Sequence, residues 1–144
     1  DRYIAGYFAK YPKIKEYMNK TITDAREKGY VSTMYNRRRS MPELSSSNFV
    51  QRAFGERVAM NMPIQGSAAD IIKIAMIRVS DKLKENKLKS RLILQVHDEL
   101  LVETEKSEIG IVKEILKNEM EHATDMSVPM DVDVHEGDNW LSAK

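Results

Sequence analysis

Three consecutive residues, His97, Asp98 and Glu99, have the side chains that could do chemistry together. They stand between two apolar, strand-like runs, Leu92 to Val96 and Leu100 to Val102. Runs this close together can pair as a hairpin with the polar trio at the bend. Carboxylates held on a rigid bend can converge on a hard metal ion. A solvated turn displays the same residue types, so the trio alone does not decide between the two readings.

A second set faces a different task. Arg57, Asn61 and Gln65 recur every fourth residue, and at about 100° per residue they share a helical arc of roughly 80°. Each presents directional hydrogen-bond donors. Such a row can reach the minor-groove acceptors that all base pairs share, purine N3 and pyrimidine O2, and so read duplex shape rather than sequence. The same stripe could instead bond to neighbouring backbone. Arg37, Arg38 and Arg39 form a third set, three guanidinium groups suited to phosphate oxygens or to plain solvation.

These residues need a frame. Tyr3, Ile4, Tyr7, Phe8 and Tyr11 have the spacing of a helical apolar face, and Ile4 to Lys28 reads as helix interrupted near Pro12, because the residue before proline avoids helical angles. Gly29 is placed to cap it. Tyr30 to Thr33 has strand character, Met34 to Asn36 can turn, and the arginines follow. Ser45 to Asn48 offer an N-cap for a long helix from Phe49 to about Asn86. Its apolar stripe (Val58, Met62, Ala69, Ile72, Met76, Val79, Leu83) reads as core. Pro63 is expected to bend this helix without ending it. After the hairpin, Ser107 to Thr124 reads as an amphipathic helix with Ile111, Ile115, Leu116 and Met120, and Val128 to His135 alternates like a half-buried strand. The expected fold class is α+β: long helices with a small antiparallel sheet made of the hairpin and the C-terminal strand.

Composition narrows the chemistry. With 144 residues, 42% hydrophobic and 31% charged, the chain is of globular type and long enough for a core. Zero cysteines and three scattered histidines favour a hard, oxygen-ligated metal over zinc. The net charge of +1 conceals a division: 19 basic against 9 acidic residues from Asp1 to Arg91, then 4 against 13 from Leu92 to Lys144. A basic half fits an anionic partner and an acidic half fits metal, although the two could simply neutralise each other.

The stretch Glu56-Arg57-Val58-Ala59-Met60-Asn61-Met62-Pro63-Ile64-Gln65-Gly66-Ser67-Ala68-Ala69-Asp70, followed by Gln95-Val96-His97-Asp98-Glu99-Leu100, resembles the family A DNA polymerases of the bacterial polymerase I type. Arg37 to Arg39 before Pro42, Tyr7-Phe8 with Tyr11-Pro12, and Gly137, Trp140 and Ala143-Lys144 fit the same family, so the likeness covers essentially the whole chain. The resemblance implies template-directed addition of deoxynucleotides to a primer 3′ end, in DNA replication and repair. It also implies two magnesium ions, roughly 3.5–4 Å apart, with manganese able to substitute. Asp98 matches the metal-binding catalytic aspartate of the palm, and Glu99 its acidic neighbour. His97 falls near the primer terminus. Gln65, Asn61 and Arg57 match minor-groove contacts, and Arg37, Arg38 and Arg39 match a stretch gripping template backbone.

On this likeness residues 1–47 correspond to the end of the fingers and 48–144 to the long helix and palm sheet. The implied partners are primer–template DNA and deoxynucleoside triphosphates, with no membrane and a monomeric parent in the bacterial cytoplasm, at the nucleoid, an organelle being the alternative. The family's second metal-binding aspartate and its Lys- and Tyr-bearing fingers helix find no counterpart here and are expected upstream of Asp1. The isolated chain is therefore expected to be inactive and, through exposed apolar surface, to self-associate. Asn36 and Gly55 depart from the glycine and alanine common in the family. Two other classes compete: a non-catalytic duplex-binding module using the basic half, and a metal phosphohydrolase that would recruit His122 or His135 beside His97 and Asp98.

Overall fold

The structure, a computed structural model, describes residues 2–143. Helix α1 (Arg2–Lys10) stops at Tyr11, and α2 (Pro12–Lys28) starts with proline in its first turn, where the missing N–H is no loss. Gly29 closes α2 in the left-handed region at φ 75°, its N–H bonded to the Ala25 carbonyl at 2.9 Å. The apolar spacing of α1 is real, yet none of its residues is buried, and Tyr3 is 92% exposed.

A short hairpin comes next, β1 (Tyr30–Ser32) against β2 (Arg38–Ser40), with Val31 opposite Arg39. The connecting loop turns at Asn36, whose φ of 63° lies in the left-handed region that asparagine enters more readily than most residues. A 3-10 turn, Pro42–Ser45, leads to α3 (Phe49–Glu85). The expected serine–asparagine cap forms at Asn48: its Oδ1 accepts the N–H of Val50 at 2.8 Å and of Gln51 at 3.4 Å. Pro63 lies inside α3, which continues through it.

Beyond α3, β3 (Arg91–Val96) pairs antiparallel with β4 (Glu99–Glu103), and α4 (Ile109–Glu121) comes after a 3-10 turn at Lys106–Glu108. The Glu108 carboxylate staples this turn to the start of β3. It accepts the N–H groups of Lys89 and Ser90, both at 3.0 Å, and the Ser90 hydroxyl at 2.6 Å. The Ser90 hydroxyl leads, with the Lys89 N–H next, in holding the Glu108 pKa below its ordinary value.

The chain forms two compact units, Asp1–Ser67 and Ala68–Lys144. In the first, Ala25, Val31, Met41, Leu44 and Ala59 make the core, with Val58 and Met62 packed against it. In the second, Val79, Leu83, Val112 and Ile115 do so, joined by Leu88, Leu100, Val102 and Leu116. On α4 the buried stripe passes through Val112 rather than Ile111, which is 38% exposed.

Two expectations need correction. The bend is the two-residue turn His97-Asp98, and Glu99 is already the first residue of β4, opposite Val96. The segment 128–135 forms no strand. Its alternation survives as burial only from residue 130 onward, with Met130, Val132 and Val134 half-buried and Asp131, Asp133 and His135 exposed, while Val128 at its start is exposed as well. Side chains hold it in place of a ladder: Glu121 accepts the Val132 N–H at 3.3 Å, and Lys113 pairs with Glu136 at 2.8 Å. The fold class stands as α+β, with two two-stranded antiparallel sheets among the described residues.

Candidate active site and nucleic-acid interface

The β3–β4 hairpin is built to hold its turn still. Arg91 and Glu103 close its base with an ion pair at 3.0 Å. The pairing slips by one residue between Leu92 and Leu94, which leaves Ile93 as a bulge. Bulges sharpen twist and re-aim the strand beyond them. At the tip, His97 has φ 51°, in a region an L-residue enters with strain, though histidine does so more often than most. Of the two turn residues only His97 has positive φ, so the turn is not the I′ type with both central residues left-handed. The Gln95 amide spans the turn, its Nε2 donating to the His97 carbonyl at 2.6 Å. Sequence reasoning gave Gln95 no role, although its place two residues before His97 was a usable signal.

Asp98 and Glu99 are both exposed. They line a groove of about 1330 Å³ whose walls include Ile72, Leu116, Asp131 and Asp133. Hard carboxylate oxygens on a stiff turn suit a magnesium-type cation in kind. In number they are one part of a donor set, because no group of three or more potential ligands converges among the described residues.

The other predicted residues lie in the first unit. Arg57, Asn61 and Gln65 are all exposed along one line of α3, as their spacing requires, while Val58, Ala59 and Met62 turn toward the core. The row is open to a partner rather than tied to neighbouring backbone by any bond among the described residues. In the basic hairpin Arg38 to Ser40 are exposed, and the Arg38 guanidinium lies 4.6 Å from the centre of the Tyr30 ring. Arg37 differs: its Nη2 donates to the Gly66 carbonyl at 2.9 Å. The structure thus brings the arginine hairpin to the Gln65 end of the helical row within one unit, and His97, Asp98 and Glu99 together in the other. His122 is engaged at the end of α4 instead, its ring Nδ1 2.9 Å from the Asn118 carbonyl.

A family model described as DNA polymerase family A matches residues 1–142, and the chain belongs to that family. It is 55% identical over 142 residues to DNA polymerase I of Caldicellulosiruptor bescii, a match covering 99% of this chain and 17% of that protein. It is 51% identical over 142 residues to DNA polymerase I of Bacillus subtilis, covering 99% of this chain and 16% of the relative. Among solved structures it resembles the POL domain of Pol1 from M. smegmatis in complex with DNA primer-template and dNTP. That likeness has a TM-score of 0.95 and 44% identity, over 97% of this chain and 25% of the other. The chain thus spans about one sixth of the length of these curated relatives. Among the described residues no helix is long and apolar enough to cross a membrane.

Proposed function

We propose that this chain supplies the duplex-gripping face and one metal-carrying turn of a template-directed DNA polymerase. The reaction joins a primer 3′-hydroxyl to a deoxynucleoside triphosphate and releases pyrophosphate. The observation that carries this reading is the likeness, over 97% of the chain, to a polymerase domain holding DNA primer-template and dNTP.

Magnesium bound at the site would supply Lewis-acid activation of the attacking hydroxyl and neutralisation of the leaving group. Asp98, with Glu99 beside it, would hold it. The protein's own task is placement: the bulge, the Gln95 bond and the short turn fix where the Asp98 carboxylate points. His97, on the same turn, lies beside the primer terminus. Arg57, Asn61 and Gln65 donate to minor-groove acceptors that every correct pair presents, so mismatches disturb them and sequence does not. Arg38 and Arg39 meet template phosphates. Residues 1–47 act as the end of the fingers and 48–144 as the long helix and palm. On its own the chain does not incorporate nucleotides, because Asp98 and Glu99 offer too few ligands to hold two ions in register.

In the full-length protein that carries this chain, Asp98→Asn is expected to lower single-nucleotide incorporation by about a hundredfold or more, matching the several kcal/mol such an ion provides. Primer–template binding should persist. Incorporation at the wild-type rate would overturn the assignment. Gln65→Ala should weaken primer–template affinity and relax discrimination against mismatched termini; both unchanged would remove the minor-groove role.

A further inference from the structure

The Arg37 bond to Gly66 belongs to a larger construction at the tip of the basic hairpin. Thr33 is buried, and its Oγ1 accepts the N–H groups of Tyr35 at 3.3 Å and Arg37 at 3.2 Å. Backbone bonds from Asn36 N to Thr33 O and from Thr33 N to Arg37 O, both 3.0 Å, close the loop around it. The tip is therefore stiff before it meets anything else.

It meets α3 at two adjacent residues. The Met34 N–H donates to the Ser67 hydroxyl at 3.0 Å, and that hydroxyl in turn donates to the Pro63 carbonyl. Arg37 donates to the Gly66 carbonyl. Between these bonds there is no room for a side chain on the helix: a Cβ at Gly66 would stand 2.7 Å from the Thr33 methyl and 3.4 Å from Arg37 Nη2. Glycine is the least favourable interior helix residue after proline, so its presence here is explained by the approach of the hairpin and not by the helix.

We infer that Gly66 is the seat on which the arginine hairpin docks, with Thr33, Ser67 and Arg37 as positioning residues that fix Arg38 and Arg39 relative to Gln65. Phosphate grip and base-edge contact then act as one rigid surface: a duplex seated on Gln65 finds the guanidinium groups already placed. The inference rests on the proposed contact of those arginines with DNA phosphate. It assigns Arg37 to holding the hairpin rather than to the duplex.

The test exploits a substitution that removes no charge. For binding of a mixed-sequence primer–template duplex by the full-length protein, the slope of log K against log salt reports the phosphates neutralised, about 0.9 per phosphate. Arg39→Ala should reduce its steepness by about 0.9. Gly66→Ala should reduce it by about 0.9 to about 1.8, as one or both exposed arginines leave their phosphates. Adding Thr33→Ser, which removes the obstructing methyl and keeps the hydroxyl, should restore the wild-type slope. A Gly66→Ala slope equal to wild type while Arg39→Ala lowers it would overturn the docking and leave the phosphate grip standing. Failure of Thr33→Ser to rescue would also overturn it. An unchanged slope in Arg39→Ala would refute the grip itself and the docking with it. Should Gly66→Ala fail to fold, Ser67→Ala, which deletes the hydroxyl that accepts the Met34 N–H and donates to the Pro63 carbonyl, decides by the same readout: a shallower slope supports the seat and an unchanged one overturns it.

Discussion

Replacing Gln95 with methionine keeps the length of the side chain and removes the donor that spans the His97-Asp98 turn. The lost bond is a neutral one of 2.6 Å, worth about 1 kcal/mol, or about fivefold in an equilibrium between a held and a released turn. Its partner is the carbonyl of a residue at φ 51°, where an L-residue carries roughly 1–2 kcal/mol of strain. Without Gln95 the turn should relax and Asp98 should leave its position for part of the time. The assay is single-nucleotide incorporation by the full-length protein at limiting magnesium, where occupancy of the productive turn is read directly. Gln95→Met should lower it about fivefold. In a His97→Gly background the strain is gone, so the same substitution should lose less than about twofold relative to His97→Gly alone. A full fivefold penalty persisting beside glycine would refute the link between the bond and the strain. No penalty in either background would refute the clamp altogether.

Asn48→Ala removes the cap of α3 and should destabilise the full-length protein by about 1 kcal/mol in thermal or denaturant melting. Val79 is completely buried, and Val79→Ala deletes two methyl groups, for a loss of about 2 kcal/mol by the same measurement. Glu108 carries a pKa lowered from 4.5, so its contribution is present above the unfolded pKa and fades as pH falls through the folded one. Melting temperatures of Glu108→Gln and wild type should therefore differ at neutral pH and converge in acid below about pH 4.5, the ordinary value; a constant gap across that range would show that the carboxylate's charge is not what matters.

The parts of this fold that were legible in the sequence are those decided within a few residues. Asn48 caps because its side chain reaches the N–H groups two and three residues on, and Gly29 ends α2 because one residue must turn left-handed. The exposure of Arg57, Asn61 and Gln65 comes from helical period alone. The illegible parts depend on residues far from one another. Alternation in 128–135 set which side chains face inward from residue 130 onward, but a strand also needs a partner for its N–H and C=O groups, which no pattern within eight residues can supply. The bulge at Ile93 is a property of the pairing, since Leu92 and Leu94 read as one uninterrupted run. The seat at Gly66 depends on a hairpin about 33 residues earlier in the chain. At the turn, residue types pointed to the carboxylates, whereas the strain at His97 and the bond from Gln95 are three-dimensional facts.

Pro63 has a consequence for what holds α3 together. With no N–H at that position, the rung that should close on the Ala59 carbonyl is missing from the middle of a helix of 37 residues. Four residues on, the Ser67 hydroxyl draws on the Pro63 carbonyl as well, in competition with the backbone. Between Ala59 and Ser67 the helix therefore lacks part of its backbone ladder, and the buried Ala59, the packed Met62 and the hairpin's bonds to Gly66 and Ser67 hold it instead. Asn61 and Gln65, two of the residues proposed to read the duplex, thus sit on a length of helix that tertiary contacts hold where the backbone ladder is incomplete.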